Sequence, residues 1–419
     1  MRSKLNHRQW YRVPIGDFAR IQSGGTPNRG IASYWEGGTI PWATTSEVNY
    51  RDIYATKQSV THEGLENSSA RIFPAGTLLI ALYGQGRTRG QVGRLAISAA
   101  TNQACAAILP DERMTVDYLY YYLQYSYDRI RGLSNTGSQE NLSGALISEF
   151  IVEFPDCDEQ RRIVEIFHMW DEAIDSVDAL IAAKQRYIRG MLSACVSDAR
   201  KTIKSDGWEK TTIGEVATLV QQRVTWDEDA TYRLITVRRR CGGLVFRGDR
   251  KGSEILTKDM YTVRAGDFVI SKRQVVHGAW AMATPEFDGA HVSKEYACLR
   301  AKPDRLWMPY FDWLSRTERL QHEAFICSYG VDIEKMVLNV DWLVQTPLLL
   351  PRSIETQKAM AAGLDCLQRE VQLLQAQAEA LRKQKRGLMQ KLLTGEWRVP
   401  VRDSDVDAMA ARITEEAAQ

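Results

Sequence analysis

The sequence has few cysteines and no long apolar segment. Its 7 cysteines stand singly, at positions 105, 157, 195, 241, 298, 327 and 366, without a Cys-x-x-Cys pair or a histidine at ligand spacing. This spacing excludes the common zinc motifs and predicts no metal site, and an odd number of single thiols favours a reducing compartment. No apolar run approaches the roughly 18 residues of a membrane span. We therefore expect a cytoplasmic protein.

Signatures of catalysis are missing as well. The 12 prolines include no adjacent pair, so the Pro-Pro-aromatic motif of amino-methyltransferases is absent. No glycine precedes a lysine, which excludes a Walker A phosphate loop, and there is no His-Glu-x-x-His. The net charge of +2 leaves any nucleic-acid binding to local patches. These absences predict a binding protein with no catalytic residues and no cofactor of its own.

The chain does contain a long internal repeat. Ile15–Ala19 recurs as Ile213–Ala217, and Phe73–Thr77 recurs as Val263–Asp267, roughly 200 residues later. A repeat of this length is a duplicated domain, which confers an approximate two-fold symmetry on one chain. Short apolar runs broken by Gly, Pro and Asn in each half predict a compact α/β domain with a mixed or antiparallel sheet.

Each half ends in a predicted long helix with a narrow apolar stripe. Its apolar residues follow a heptad spacing, and the two stripes superpose between the halves, which is typical of a coiled-coil seam. The predicted seam residues are Ile163, Phe167, Trp170, Ile174, Val177 and Ile181 in the first helix and Leu364, Leu367, Val371, Leu374, Leu381 and Leu388 in the second. We expect the helices to pair antiparallel; the alternative is that each helix packs on its own domain.

Together these patterns predict an α+β protein: two α/β domains separated by two long antiparallel coiled-coil helices, with an internal pseudo-two-fold repeat. The predicted segments are a first domain at 1–155, a helix at 156–203, a second domain at 204–352, a helix at 353–396 and a C-terminal tail at 397–419. We expect Gly395 to end the second helix as a glycine cap.

Candidate contact residues lie on loops that carry basic, amide, aromatic and hydroxyl side chains. Arginine and lysine suit phosphates and guanine edges, whereas Asn and Gln suit adenine edges. The candidates are Thr44, Thr45, Ser46, Tyr83, Gln85, Arg87, Thr88, Arg89, Asn102, Gln103, Ser138 and Gln139 in the first half and Arg238, Arg239, Arg240, Lys272, Arg273, Gln274 and His277 in the second. Since the halves share scaffold residues but differ here, we expect each domain to read a different DNA sequence; the alternative is that these are ordinary solvated loops.

The order of several short motifs resembles the specificity subunit (HsdS) of type I restriction–modification enzymes. The motifs are Ile15–Asp17, Ser23–Pro27, Ile40–Trp42, Tyr83–Gly86, Asn102–Cys105, Pro155 with Glu159–Ile163, Pro351 with Thr356–Gln357, and Leu392–Val399. The resemblance covers about residues 8–400. The second helix start departs slightly, because Lys358–Met360 replaces the usual basic pair followed by isoleucine.

This resemblance implies a function and a set of partners. In the family, each of two target recognition domains reads one half of a bipartite, asymmetric DNA site, and the paired helices set the spacer between the halves. The resemblance implies double-stranded DNA and two modification subunits as partners, which bind S-adenosylmethionine and methylate adenine. Two restriction subunits, with ATP and Mg, can join them.

Two other interpretations remain open from the sequence. One is a stand-alone DNA methyltransferase or nuclease, against which the missing proline and phosphate-loop motifs argue. The other is a coiled-coil adaptor without a nucleic-acid role. Sequence-selective DNA binding distinguishes the adaptor from the specificity subunit.

Overall fold

The computed structural model describes residues 10–84, 86–133, 141–197 and 207–399. Its backbone contacts divide the chain into two compact units: unit 1 combines Met1–Ser176 with Ala378–Gln419, and unit 2 is Val177–Gln377. Each unit thus holds one α/β domain and one half of each long helix. No helix in the described ranges is long and apolar enough to cross a membrane.

Unit 1 contains three small sheets with the strand orders β1-β11, β2-β10-β7-β8-β4 and β5-β3-β9-β6. Its strands are β1 (Tyr11–Pro14), β2 (Ala19–Ser23), β3 (Ile40–Ala43), β4 (Asp52–Ile53), β5 (Gln58–Val60), β6 (Ile72–Phe73), β7 (Leu78–Ala81), β8 (Val92–Leu95), β9 (Ala99–Thr101), β10 (Cys105–Pro110) and β11 (Ile151–Phe154). Its short helices are α1 (His62–Glu66), α2 (Val116–Tyr125), α3 (Tyr127–Arg131) and α4 (Gly144–Ser148).

Unit 2 repeats this topology. Its strands are β12 (Trp208–Thr212), β13 (Ala217–Val220), β14 (Thr231–Val237), β15 (Leu244–Lys251), β16 (Met260–Thr262), β17 (Phe268–Ser271), β18 (Trp280–Met282), β19 (His291–Ser293), β20 (Tyr296–Ala301), β21 (Ser328–Tyr329), β22 (Val337–Leu338) and β23 (Pro347–Pro351). Its short helices are α6 (Ile213–Val216), α7 (Met308–Ser315), α8 (Glu318–Ile326) and α9 (Val340–Leu343). The orders β13-β20-β17-β18 and β15-β14-β19-β16 correspond to β2-β10-β7-β8 and β5-β3-β9-β6 of unit 1, where the first sheet also holds β4. The parallel pairs β3–β9 and β14–β19 correspond as well.

The long helices are α5 (Cys157–Ser197) and α10 (Ile354–Leu393), of 41 and 40 residues. Every predicted seam residue on them is buried or half-buried. In unit 1, Glu159 of α5 meets Arg398 just beyond α10, and Asp171 meets Lys385, so positions ascend on one helix as they descend on the other. This confirms antiparallel pairing.

The seam residues also pack on the domains. Phe167 of α5 lies in the core of unit 1 and contacts the Tyr121 ring at 4.9 Å, and Leu364 of α10 occupies the corresponding place in the core of unit 2. The two packing alternatives are therefore not exclusive, because one apolar stripe is wide enough to face both a helix and a domain.

A buried glutamine attaches each domain to its helix start. Gln160 and Gln357 are both 0% exposed. Each side-chain carbonyl accepts a backbone N–H, and each amide donates to two backbone carbonyls, so the glutamine satisfies three backbone groups, of which one is buried and two are partly buried. The contacts of Gln160 are Thr115 N at 2.8 Å, Pro155 O at 2.9 Å and Arg113 O at 3.0 Å; those of Gln357 are Trp307 N at 2.8 Å, Pro351 O at 2.9 Å and Arg305 O at 3.1 Å.

The end of α10 is closed as expected. Gly395 has a φ of +72°, the left-handed conformation that terminates helices and favours glycine. A Cβ at this position would also lie 3.1 Å from the Trp10 ring. Of the predicted tail, only residues 397–399 are described, and both Arg398 and Val399 bond to Glu159.

Candidate nucleic-acid interface

Three of the candidate loops of the first domain meet at the same end of strands β3, β7, β9 and β10. Because β7 and β10 are antiparallel, the end of one adjoins the start of the other, and Leu82 N–H donates to Ala104 O at 2.8 Å. Because β3 and β9 are parallel, their ends share an edge, and Asn102 N–H donates to Ala43 O at 3.1 Å. The loops that carry Tyr83, Asn102–Gln103 and Thr44–Ser46 are thereby brought together.

A glutamate that sequence reasoning did not select organises the hydroxyl loop. The Glu47 carboxylate accepts hydrogen bonds from Thr44 N at 2.9 Å, Thr44 Oγ1 at 2.5 Å, Ser46 Oγ at 3.0 Å and Lys57 N at 3.2 Å. Burial raises the pKa of Glu47, but these donors outweigh it, and the net pKa lies below the ordinary value. The hydroxyl donors of Thr44 and Ser46 are therefore engaged with Glu47, while Thr45 is half-buried beside them.

The glycine-rich loop of the first domain presents two of its candidates and buries another. Tyr83 and Arg87 are exposed and Thr88 is half-buried, whereas Arg89 is only 7% exposed. Helix α3 supports the loop from behind, since Tyr127 Oη donates to Arg87 O at 2.6 Å. The burial of Arg89 is unfavourable for a direct contact with DNA and favours a structural role for that side chain.

The side chain of Arg87 lines a cleft of about 860 Å³ within unit 1. Three further cations from α10, Arg382, Lys385 and Arg386, line the same cleft. Lys385 pairs with Asp171 at 2.5 Å, so its charge is offset locally. Asp128 lines the cleft as well, so basic and acidic side chains meet beside the glycine-rich loop.

The remaining candidates of the first domain differ in their surroundings. Gln103 is exposed and accepts a hydrogen bond from Thr26 Oγ1, and Asn102 is half-buried. Gln85, Ser138 and Gln139 lie outside the described residues.

In the second domain the two basic candidate loops form one cluster. Arg240 N–H donates to His277 O at 2.7 Å, and the Arg239 guanidinium donates through Nε to Gln274 Oε1 at 2.7 Å. Arg238, Arg239 and Arg240 occupy the turn between β14 and β15, and all three side chains are exposed. The structure thus joins residues that are distant in sequence into one basic surface.

Two glutamates that sequence reasoning missed complete this cluster. Glu334 Oε2 lies 2.7 Å from Arg239 Nη2, and its Oε1 lies 3.1 Å from His277 Nε2. The hydrogen bond from Arg239 holds the pKa of Glu334 below its ordinary value. Glu295 pairs with Arg273 at 2.5 Å, and its backbone carbonyl accepts from Lys272 N at 3.0 Å. No short motif signals either glutamate, because each partner comes from a different loop.

Among the described side chains, no group of three or more His, Cys, Asp and Glu residues is placed to hold a metal ion.

The chain thus belongs to the class of α+β proteins that join two similar α/β domains to two long helices. Residues 7–183 match the family described as the Type I restriction modification DNA specificity domain. Within these residues the chain is similar to that family, in agreement with the resemblance found in its motifs.

The chain is also similar to two curated specificity subunits. The chain is similar to the MjaIX specificity subunit of Methanocaldococcus jannaschii, with 29% identity over 177 residues, covering 40% of this chain and 39% of the relative. It is also similar to the EcoR124I/EcoR124II specificity subunit of Escherichia coli, with 26% identity over 166 residues, covering 39% of this chain and 41% of the relative. The matches thus span about two fifths of each relative's length.

Solved structures confirm the fold over nearly the whole chain. The S subunit of a type I restriction–modification system from M. genitalium superposes with a TM-score of 0.54 at 14% identity, covering 93% of this chain and 98% of that one. A chain from structural work on complex assembly and conformational transition of the type I R-M system superposes with a TM-score of 0.60 at 15% identity, covering 93% and 99%.

Proposed function

We propose that this chain is the sequence-specific DNA-binding subunit of a type I restriction–modification enzyme. Each domain reads one half of a bipartite, asymmetric site. The observation that carries the proposal is that loops of different sequence follow equivalent strands in the two domains. Leu142 N–H donates to Leu82 O at 3.0 Å in the first domain, and Leu338 N–H donates to Lys272 O at 2.8 Å in the second. The frame is common to both domains, whereas the side chains around it differ.

The chemistry of these loops supports base reading. In the second domain, the exposed Arg238 and Arg240 suit phosphates and guanine edges, whereas the Arg239 side chain is held by Gln274 and Glu334. In the first domain, Tyr83, Arg87 and Gln103 are the exposed counterparts. Two readers with different donors and acceptors recognise two different base sequences, so the site need not be a palindrome.

We infer that the helix pair sets the gap between the two half-sites. Helices of 41 and 40 residues are about 60 Å long at about 1.5 Å per residue. This exceeds the 34–36 Å of one DNA turn, which is a common spacing between half-sites.

Catalysis is assigned to partner subunits. Two modification subunits with S-adenosylmethionine methylate adenine, and two restriction subunits with ATP and Mg add cleavage. A base inside a duplex must be extruded before its amino group can react, so the modification subunit performs that step on the site that this chain selects. The chain itself has no catalytic role and acts in the cytoplasm with these partners.

Selection from random duplexes tests this proposal. The chain is purified with its modification partner, and bound duplexes are enriched by gel shift and sequenced. We expect two short sequence blocks separated by a constant gap. A pool without enrichment contradicts the proposal and favours the adaptor interpretation, whereas methyl transfer from S-adenosylmethionine by the chain alone favours a self-contained enzyme.

A further inference from the structure

The loop between β21 and β22 exposes apolar side chains at its tip. Val331 is 109% exposed, which is full exposure, and Tyr329 and Ile333 are about half exposed. Exposed apolar groups that cluster on one loop of a folded domain mark interaction sites more often than isolated ones do.

This loop is held against the basic cluster. Glu334, one residue after Ile333, pairs with Arg239 and lies beside His277. Asp332 Oδ1 accepts a hydrogen bond from Glu334 N–H at 3.2 Å. Leu338 N–H, in the strand that follows the loop, donates to Lys272 O at 2.8 Å. The apolar tip is therefore positioned next to the arginines of residues 238–240 by ionic and backbone contacts on both sides.

The charge of these surroundings indicates the occupant. Lys335 follows the tip in the chain and is exposed, and Arg239, which lies between the exposed Arg238 and Arg240 in the chain, contacts the loop through Glu334. The acidic residues of the loop are Asp332 and Glu334, and Glu334 is paired with Arg239. Protein–protein interface cores are depleted of charge, whereas DNA-binding surfaces combine cations for phosphates with apolar side chains that contact thymine methyl groups or enter between base steps. We infer that residues 329–333 are a DNA-contacting wedge of the second domain, oriented by Glu334. This inference rests on the proposed function and adds a loop to it.

Serine substitutions at the tip test the wedge. Val331→Ser and Ile333→Ser are compared with Leu256→Ser, a control that is 99% exposed on a loop lining a different cavity of the same domain. Binding of the complete complex to the selected duplex is measured at several salt concentrations. We expect about tenfold weaker binding for the double tip variant, with an unchanged salt slope because no phosphate contact is removed. The control should bind as the unmodified chain does.

The outcomes separate the possible failures. Equal binding by the tip variant and the control overturns the wedge while leaving the proposed function intact. Loss of association with the methyltransferase in the absence of DNA also overturns it, since the tip would then be a protein interface. An unmodified chain that selects no duplex overturns the proposed function and the wedge together. Circular dichroism of each variant verifies that the fold is retained.

Discussion

The two domains hold their candidate loops with the same kind of residue but different chemistry. In the first domain the Glu47 carboxylate collects neutral donors from Thr44, Ser46 and the Lys57 backbone. In the second domain the Glu334 carboxylate binds the cation Arg239 and lies beside His277. Both carboxylates have lowered pKa values, one because of dipoles and the other because of an ion pair.

The two domains share their buried contacts with the helices but differ in their loops. The buried contacts of Gln160 and Gln357 are the same in both units, because any change there leaves backbone groups without partners. The loops at the strand edge carry no such requirement. Different loop sequences can therefore present different side chains, provided that the carboxylate that holds each loop, Glu47 or Glu334, has hydrogen-bond or ionic partners.

The largest loss of stability is expected from alanine substitutions at equivalent seam positions of the two long helices. Phe167→Ala should lower the free energy of unfolding by about 4 kcal/mol and Leu364→Ala by about 3 kcal/mol, because each leaves a cavity in its core. Urea unfolding followed by circular dichroism measures both. Exposed neighbours on the same helices, Met169→Ala and Leu373→Ala, serve as controls. Equal stability of seam and control variants would show that the stripe is not a core element.

The next largest loss of stability is expected from substitution of the two buried glutamines. Gln160→Ala and Gln357→Ala should each destabilise the fold by about 2–3 kcal/mol, since each leaves one buried and two partly buried backbone groups without this partner. The exposed Gln375→Ala should change little. The same unfolding measurement applies. A large effect for only one of the two glutamines would contradict the equivalence of the two domain–helix junctions.

A smaller effect distinguishes the two loop anchors through salt. Glu334→Gln frees the charge of Arg239 for phosphate, so the slope of log affinity against log salt should become steeper by about one counterion. Glu47→Gln frees no cation, so its slope should not change. Fluorescence anisotropy with the selected duplex, in the complete complex, measures the slope. Identical slopes for both variants would refute an ionic anchor at Glu334.

The smallest effect concerns pH. Because the pKa of each glutamate is lowered from an ordinary 4.5, its contribution is complete above pH 4.5 and is lost as the pH falls through the lowered pKa. Added salt should move the loss at Glu334 toward higher pH, since screening weakens its ion pair, but should leave Glu47 nearly unaffected. Hydrogen exchange of the peptides around residues 44–57 and 329–336 reports both transitions. A salt shift at Glu47 alone would reverse the assignment of anchors.

Local pattern predicted much of this architecture. The heptad stripe predicted α5 and α10, and short apolar runs predicted an α/β domain in each half, because periodicity and run length are properties of adjacent residues. The loop candidates were chosen by side-chain chemistry, and their contact with DNA stays a prediction. Glu47 and Glu334 were not selected, since a single acidic residue in a loop has no local signature.

The sequence alone indicated the duplication, the two long helices with their seam, and the resemblance to specificity subunits, because repeats, heptads and short motifs can be recognised without a structure. Only the tertiary structure decided which arginines are available. Arg89 is buried within the first domain, whereas Arg239 is exposed but paired with a glutamate from a distant loop. Burial and ion pairing depend on neighbours brought together by folding, and those neighbours are not adjacent in the chain.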